Sequence, residues 1–96
     1  MAKGYWMAFY RSTSDDSALA KYVAVAAPAI EARGGRFLAR GLPAQTYEAG
    51  LKRRTALIEF NSVQDAIDAY ESPEYQAALR ILGGTAEREI RILEGL

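Results

Sequence analysis

The sequence predicts an α+β domain in which two strand-helix-strand units share one antiparallel four-stranded sheet. In four separate segments, residues follow the two-residue alternation of a β-strand. Apolar residues at helical spacing fill the two long intervals, one after the first of these segments and one after the third. The chain has 96 residues, half of them hydrophobic, which favours a single folded domain over residues 1–96.

The first strand and the first helix are indicated by a dense run of aromatic residues followed by a turn. Residues 3–10 are apolar on both faces, so this strand should be covered on both sides of the sheet. Serine and aspartate residues at positions 12–17 can cap a helix, and Gly34-Gly35 can end it. Because Pro28 removes a backbone hydrogen bond and clashes with the preceding turn, we expect a kink or a break near residues 24–27.

The remaining elements follow from alternation and from helix-start signals. The three later strands are predicted at 36–41, 54–60 and 87–94. A second helical region should begin at Asn61 or Ser62 and start again at Ser72, where a serine cap precedes a proline at the first helical position. Gly83-Gly84 should end it.

The order strand, helix, strand, strand, helix, strand is that of ferredoxin-like folds, in which both helical regions cover the same side of the sheet. We expect the helix-covered face to carry Phe37, Ala39, Ala56, Ile58, Phe60, Ile90 and Ile92. The other face, called the helix-free face below, should then carry Arg36, Leu38, Arg40, Leu57, Glu59, Arg91 and Leu93. Its leucines, with one apolar row of the first strand, would form a large exposed patch, and such patches mark interaction sites. We therefore expect a homodimer through this sheet face.

Composition excludes several classes of function. Twelve basic and twelve acidic residues cancel, so neither nucleic acid nor a membrane surface is expected as a partner. The chain has no cysteine and no histidine, which removes thiolate chemistry, the usual general base and the commonest metal ligands. We expect no metal site and no cofactor. The first residues lead into a strand without a signal-like apolar stretch, and a cytoplasmic location is expected.

Glu59 is the candidate catalytic base. It lies on the predicted helix-free face, where cover by a partner sheet would desolvate the carboxylate and raise its pKa. The alternative is an ion pair with an arginine on a neighbouring strand. Arg36 and Arg40 are four residues apart on one strand, an even spacing, and should project from one face, where they could hold a carboxylate or an enolate. A solvated sheet edge explains them equally well.

Aromatic and basic residues supply the other candidates. Trp6, Tyr5 and Tyr47 could wall a ligand pocket, although aromatic residues at strand positions more often belong to the core. The segment 72–75 is explained by helix initiation, and its backbone N–H groups could also receive an anion. The basic run at 52–54 is best explained as a solvated strand entrance.

Four short segments carry a resemblance to a known family. They are Gly4-Tyr5-Trp6, Gly34-Gly35-Arg36-Phe37, Ile58-Glu59-Phe60 and Ser72-Pro73-Glu74-Tyr75. In this order they resemble a bacterial family of small uncharacterised domains in the dimeric α/β-barrel superfamily. The resemblance implies the fold and the dimer. The superfamily also contains cofactor-independent monooxygenases, muconolactone-isomerase-like proteins and dehydratases, and many of its enzymes use a histidine that this chain lacks.

Three functions fit these observations. The favoured one is a dimeric domain whose cavity, on the helix-free face, holds a small anionic or aromatic molecule. The alternative is a cofactor-independent enzyme of monooxygenase, isomerase or dehydratase type, with Glu59 as base and Arg36 or Arg40 stabilising developing negative charge. The third is a purely structural dimer.

Overall fold

A computed structural model describes residues 2–96 of the chain. Its elements follow the order that the sequence predicts. They are β1 (Gly4–Thr13), α1 (Asp16–Ala32), β2 (Arg36–Gly41), β3 (Thr55–Phe60), α2 (Val63–Glu71), α3 (Pro73–Leu82) and β4 (Ala86–Glu94). No helix within residues 2–96 combines the length and the apolar character needed to cross a membrane.

The four strands form one sheet in the order β2-β3-β1-β4, and each neighbouring pair is antiparallel. The three helices pack on one side of this sheet, which gives a two-layer molecule measuring 37 × 33 × 16 Å. This is the predicted ferredoxin-like α+β architecture. Along β1, even-numbered residues from Gly4 to Tyr10 are buried and odd-numbered residues from Tyr5 to Phe9 are only half-buried, so the two faces of the sheet differ in cover.

Aromatic rings occupy the centre of the core between the sheet and the helices. Trp6 and Tyr75 are almost fully buried and meet edge to face, with ring centroids 4.8 Å apart. The Phe60 ring stacks on the Trp6 ring with centroids 6.2 Å apart, and the Tyr70 ring centroid lies 5.4 Å from that of Trp6. Such aromatic pairs contribute stability beyond the area they bury. The core therefore depends on the tryptophan of β1 and on rings from β3, α2 and α3.

α1 is continuous through Pro28, so the predicted break is absent. Asp15 caps the helix, because its side chain accepts hydrogen bonds from the backbone N–H groups of Ser17 and Ala18. Pro28 and Ala24, whose carbonyl loses its helical partner, both lie on the exposed side of the helix. Water can solvate that carbonyl, and the buried face of α1 keeps the helix in place.

β2 contains a bulge that the sequence pattern does not reveal. Phe37 pairs with Ile58 but Ala39 pairs with Leu57, so one extra residue, Leu38, stands in the strand. Beyond the bulge the faces are exchanged. The prediction that Ala39 lies on the helix-covered face is therefore wrong, because the extra residue turns it to the opposite side.

The helix starts and ends follow the predicted signals. The Ser62 side chain accepts from the Asp65 N–H, and the Ser72 side chain accepts from the Tyr75 N–H at 3.2 Å. Ser72 Oγ also donates to the Ala69 carbonyl at 2.8 Å, which joins the end of α2 to the start of α3. Between α1 and β2, a Cβ at Gly35 would lie 2.5 Å from Ile30 Cγ2. The second glycine of that pair therefore allows a close approach of backbone and core.

Candidate functional site

Three of the predicted site residues meet on the helix-free face. Glu59 of β3 lies between Tyr5 of β1 and Arg36 of β2, which are its partners across the strand pairs. Arg36 donates to Glu59 Oε1 from Nε at 3.1 Å and from Nη2 at 2.9 Å, and the Tyr5 hydroxyl donates to Oε2 at 3.0 Å. Both carboxylate oxygens are therefore occupied. The ion-pair alternative describes Glu59 in this structure.

The hydrogen bonds set the protonation of this cluster. The Arg36 hydrogen bonds, followed by the Tyr5 hydroxyl, hold the pKa of Glu59 below its ordinary value, although partial burial acts in the opposite direction. Within the single chain, the neighbouring donors therefore outweigh desolvation. The predicted rise in the pKa of Glu59 depends on cover by a second copy and stays a prediction. The Tyr5 pKa is raised, chiefly because its proton is held by the Glu59 carboxylate. A carboxylate of lowered pKa with both oxygens engaged is a weak general base.

The other predicted residues do not join this cluster. Arg40 pairs with Ala56 and lies over the Phe37 ring at 4.7 Å, on the helix-covered side. The prediction that Arg40 shares a face with Arg36 is wrong, because the bulge at Leu38 intervenes. Trp6 is 1% exposed in the core and Tyr47 is 77% exposed in the loop between β2 and β3. The three aromatic residues Trp6, Tyr5 and Tyr47 therefore do not wall one pocket.

The helix-free face has an apolar centre and charged margins. Its centre is formed by half-buried side chains of the two middle strands, Tyr5, Met7, Phe9 and Leu57. Exposed Leu93, which pairs with Tyr5, extends it. Near the loop between β2 and β3, a groove of about 190 Å³ is bordered by Phe9, Glu89 and Arg91. Glu59 does not border that groove.

A second polar cluster lies on the helix-covered side, around Arg88 of β4. Its guanidinium donates to three tyrosine hydroxyls: Tyr75 at 2.8 Å, Tyr22 at 3.0 Å and Tyr10 at 3.3 Å. The hydroxyl oxygens of Tyr22 and Tyr75 are 2.6 Å apart. One arginine thus connects β1, α1 and α3 beneath the helices.

Two tyrosines of this cluster, Tyr22 and Tyr75, stay protonated. Burial raises the pKa of Tyr22, and burial raises the pKa of Tyr75 further. Burial by itself disfavours the Arg88 charge, yet its interaction with the tyrosine oxygens outweighs this and the pKa of Arg88 lies above its ordinary value. The cluster is therefore a fixed positive charge supported by neutral hydroxyls, and it contains no ready proton acceptor.

A narrow cavity of about 30 Å³ lies next to this cluster, between α1 and the sheet. Its walls are mostly apolar and aromatic, with three arginines among them. The bordering residues are Trp6, Ala8, Tyr10, Tyr22, Val23, Ala26, Ala27, Ile30, Phe37, Arg40, Arg54, Ala56, Ile58 and Arg88. A space of this volume is enough for a water molecule or a small polar group.

Two observations distinguish this cavity from an ordinary packing defect. The Trp6 Nε1 donor is buried and has no hydrogen-bond partner within the described residues. None of Arg40, Arg54 and Arg88 forms an ion pair within residues 2–96. Buried polar groups are nearly always partnered, so an unmatched donor beside unpaired cations calls for a physical explanation.

Arg88 was missed by the sequence analysis, although a signal was present. It stands in phase with Ile90 and Ile92, since all three occupy alternate positions of β4 and face the helices. A charged residue that occupies the apolar face of a strand is expected to be at least partly buried. Such charges are usually paired or functional. The strand predicted at 87–94 includes Arg88, and the alternation of that strand places Arg88 on the same face as the two isoleucines.

The family model described as "Domain of unknown function (DUF1330)" matches residues 3–96. No curated protein matches the chain. A structure of RPA0582, a protein of unknown function from Rhodopseudomonas palustris, is 17% identical with a TM-score of 0.74, and the alignment covers 99% of this chain and 83% of that one.

Two further structures share the fold at similar identity. A Caulobacter crescentus protein described as a "putative antibiotic biosynthesis monooxygenase" is 17% identical with a TM-score of 0.60, covering 99% of this chain and 90% of that one. A dimeric ferredoxin-like protein of unknown function from Thermobifida fusca is 15% identical with a TM-score of 0.56, covering 97% and 91%. At these identities the likeness establishes the fold. Because the family model spans nearly the whole chain, the protein belongs to the DUF1330 family.

Proposed function

We propose that this chain acts as a homodimeric small-molecule-binding domain, in which a second copy covers the helix-free face. The observation that carries the dimer is the row of half-buried apolar side chains on that face, which includes Tyr5, Met7, Phe9 and Leu57. Helices cover the other face, and among residues 2–96 no element packs over this one. A contiguous apolar sheet surface of this kind marks an interface.

The size of the face suits a stable dimer. The broad side of the molecule measures 37 × 33 Å, which exceeds the roughly 800 Å² per partner of a standard interface. Apolar burial at about 25 cal/mol per Å² over such an interface can outweigh an association cost of roughly 4 to 15 kcal/mol. Structures of the same fold from Thermobifida fusca and Bacteroides fragilis are described as dimeric, which supports the proposal.

The charges on the face do not oppose this packing. Arg36 is paired with Glu59, and Glu89 accepts from both Arg11 and Arg91. Charges already matched within one copy need no new partner across the interface. Like charges are therefore not forced together when two identical faces meet.

Binding is supported over catalysis by the state of the polar groups. The Glu59 carboxylate is engaged on both oxygens and its pKa is lowered, so it is poorly suited to proton abstraction. The arginines and the indole donor beneath α1 instead favour a ligand that accepts hydrogen bonds. The Caulobacter crescentus structure keeps an oxygenase of the cofactor-independent type as the second candidate, tested by oxygen consumption with phenolic substrates.

Light scattering during size-exclusion chromatography tests the dimer. The wild-type protein should elute with twice the 10.5 kDa mass of one chain. Leu57→Glu places a charge in the centre of the helix-free face and should give a folded monomer. Ile81→Glu is the matched control, because Ile81 is 38% exposed on α3, on the helix side of the molecule. A wild-type monomer at high concentration, or equal dissociation by both variants, would contradict the proposed interface.

A further inference from the structure

We propose that the cavity beneath α1 binds the carboxylate of a small organic acid, with Arg88 balancing its charge and Trp6 Nε1 donating to one oxygen. The inference rests on the proposed small-molecule function and adds the location of the site and the class of its ligand. It moves the site from the helix-free face, where the sequence had suggested it, to the opposite side of the sheet. The unmatched donor, the unpaired cations and the shape of the space support it independently.

The first support is the indole of Trp6. Trp6 borders the cavity, is 1% exposed and has no acceptor for its Nε1–H among the described residues. Leaving a buried donor unpaired is costly, and the large majority of buried side-chain polar atoms have a partner. An acceptor oxygen within hydrogen-bond distance of Nε1 would satisfy this donor.

The second support is the distribution of the arginines. Arg11, Arg33, Arg36 and Arg91 lie on the surface and each pairs with a carboxylate of this chain. The three arginines that border the cavity, Arg40, Arg54 and Arg88, form no ion pair within residues 2–96, and of the three only Arg54 and Arg88 are partly buried. Exposed Arg53 and Arg80 are also unpaired there, but water solvates them. A partly buried cation held by neutral hydroxyls lacks the counter-charge that burial favours. A ligand carboxylate supplies that charge, and guanidinium groups match its two oxygens.

The third support is the shape of the space. The inner cavity of about 30 Å³ is too small for a ring but can accept a flat two-oxygen group between aromatic walls. Tyr10 and Arg54 also border a wider groove of about 440 Å³, which falls in the usual range for ligand pockets. Tyr10 and Arg54 thus belong to the walls of both spaces. The proposed ligand has its carboxylate in the cavity and its organic body in the groove, on the two sides of this shared wall.

The lining of the wider groove indicates the character of that body. Leu19 and Leu42 supply apolar surface, and Ser12 and Thr13 supply hydroxyls. The charged residues of the groove have both signs, namely Asp16, Lys52, Arg53 and Arg54. Three of these four residues are cations, so the groove suits the negative charge of an acid, and the two leucines can contact an apolar ring. Benzoate, a small monoacid with an apolar ring, is therefore a suitable probe.

The chain provides a built-in reporter for the test, because Trp6 is its single tryptophan. An ¹H–¹⁵N correlation spectrum of the labelled full-length protein should show one indole resonance. Titration with sodium benzoate should shift that resonance to saturation. Benzamide, which has the same shape without the charge, and sodium phosphate, which is tetrahedral, should at matched ionic strength bind at least about tenfold more weakly.

Variants separate the site from general effects of charge. Arg88→Gln should weaken benzoate binding by about tenfold or more, and Arg54→Gln should weaken it several-fold while keeping the tyrosine cluster intact. Arg54→Gln decides the matter if Arg88→Gln does not fold. Arg80→Gln is the matched control, since Arg80 is exposed on α3 outside the cavity, and it should leave binding unchanged.

The outcomes distinguish this inference from the broader proposal. If benzoate shifts backbone resonances of the helix-free face and leaves the indole unmoved, the domain binds acids but this site is wrong. If none of the probes shifts the indole resonance and the protein is still a dimer, the carboxylate site is overturned and the proposed dimer is retained. Equal effects of Arg54→Gln and Arg80→Gln would show nonspecific charge attraction and would also overturn the site.

Discussion

Removal of the Tyr75 hydroxyl tests the cluster around Arg88. Tyr75 is 0% exposed, and its hydroxyl both accepts from Arg88 Nη2 at 2.8 Å and lies 2.6 Å from the Tyr22 hydroxyl. Tyr75→Phe keeps the ring in the aromatic core and removes both interactions. A hydrogen bond to a charged group contributes about 1.5 to 3 kcal/mol and a neutral one about 0.5 to 1.5 kcal/mol. Because Arg88 keeps two other hydroxyl partners, we expect a loss of roughly 2 to 3 kcal/mol in the free energy of unfolding.

Urea denaturation followed by circular dichroism measures this loss. The same change should lower the thermal midpoint by roughly 10 °C or more, given about 4 to 8 °C per kcal/mol for a domain of this size. All proteins must be compared at one concentration, since dimer dissociation makes the midpoint depend on it. Tyr70→Phe is the matched control, because the Tyr70 ring packs in the same cluster at 5.1 Å from Tyr75 and its hydroxyl has no hydrogen bond within residues 2–96. If the two variants are equally stable, the hydroxyl network does not stabilise the fold.

Two further predictions concern the glycine turn and the acid limb of stability. Gly35→Ala should destabilise the fold by about 1 to 3 kcal/mol, because the new Cβ would lie 2.5 Å from buried Ile30. Gly84→Ala should be nearly neutral, because its new Cβ would have no atom within 4 Å. Similar melting curves for the two variants would contradict the close packing at Gly35. Hydrogen bonds from Arg36 and Tyr5 lower the pKa of Glu59 in the folded protein. The stability that this ion pair contributes is therefore fully present above the unfolded-state pKa near 4.5. It is lost as the pH falls through the lower pKa of the folded state. The stability difference between wild type and Glu59→Gln should therefore shrink below about pH 4.5 in urea titrations, and a difference independent of pH would count against this ion pair.

The fold could be predicted from the sequence because its signals are local. The caps at Ser62 and Ser72 act within one helical turn, and both were found in the structure as expected. The alternation in β1 and β3 is likewise a property of neighbouring residues. Pro28 was misjudged because its effect depends on exposure: on the solvent side of a well-packed helix, the lost hydrogen bond can be replaced by water.

The candidate site could be predicted only in part because it depends on pairing between distant strands. Arg36 and Arg40 look equivalent in the sequence, and only the register with β3 reveals the bulge that separates them. The expected partner of Glu59 was found, since Arg36 lies directly across the strand pair. The convergence of α1, α3 and β1 hydroxyls on Arg88 is a tertiary event, and no local pattern encodes which tyrosines will meet.

The most direct measurement for the account as a whole is a crystal structure of the protein grown with benzoate. We expect the benzoate carboxylate beneath α1, with one oxygen within hydrogen-bond distance of Trp6 Nε1, the guanidinium of Arg88 alongside, and the ring in the groove bordered by Leu19 and Leu42. The proposed carboxylate site would be contradicted by electron density for a lone water on Trp6 Nε1, with benzoate absent or bound on the helix-free face.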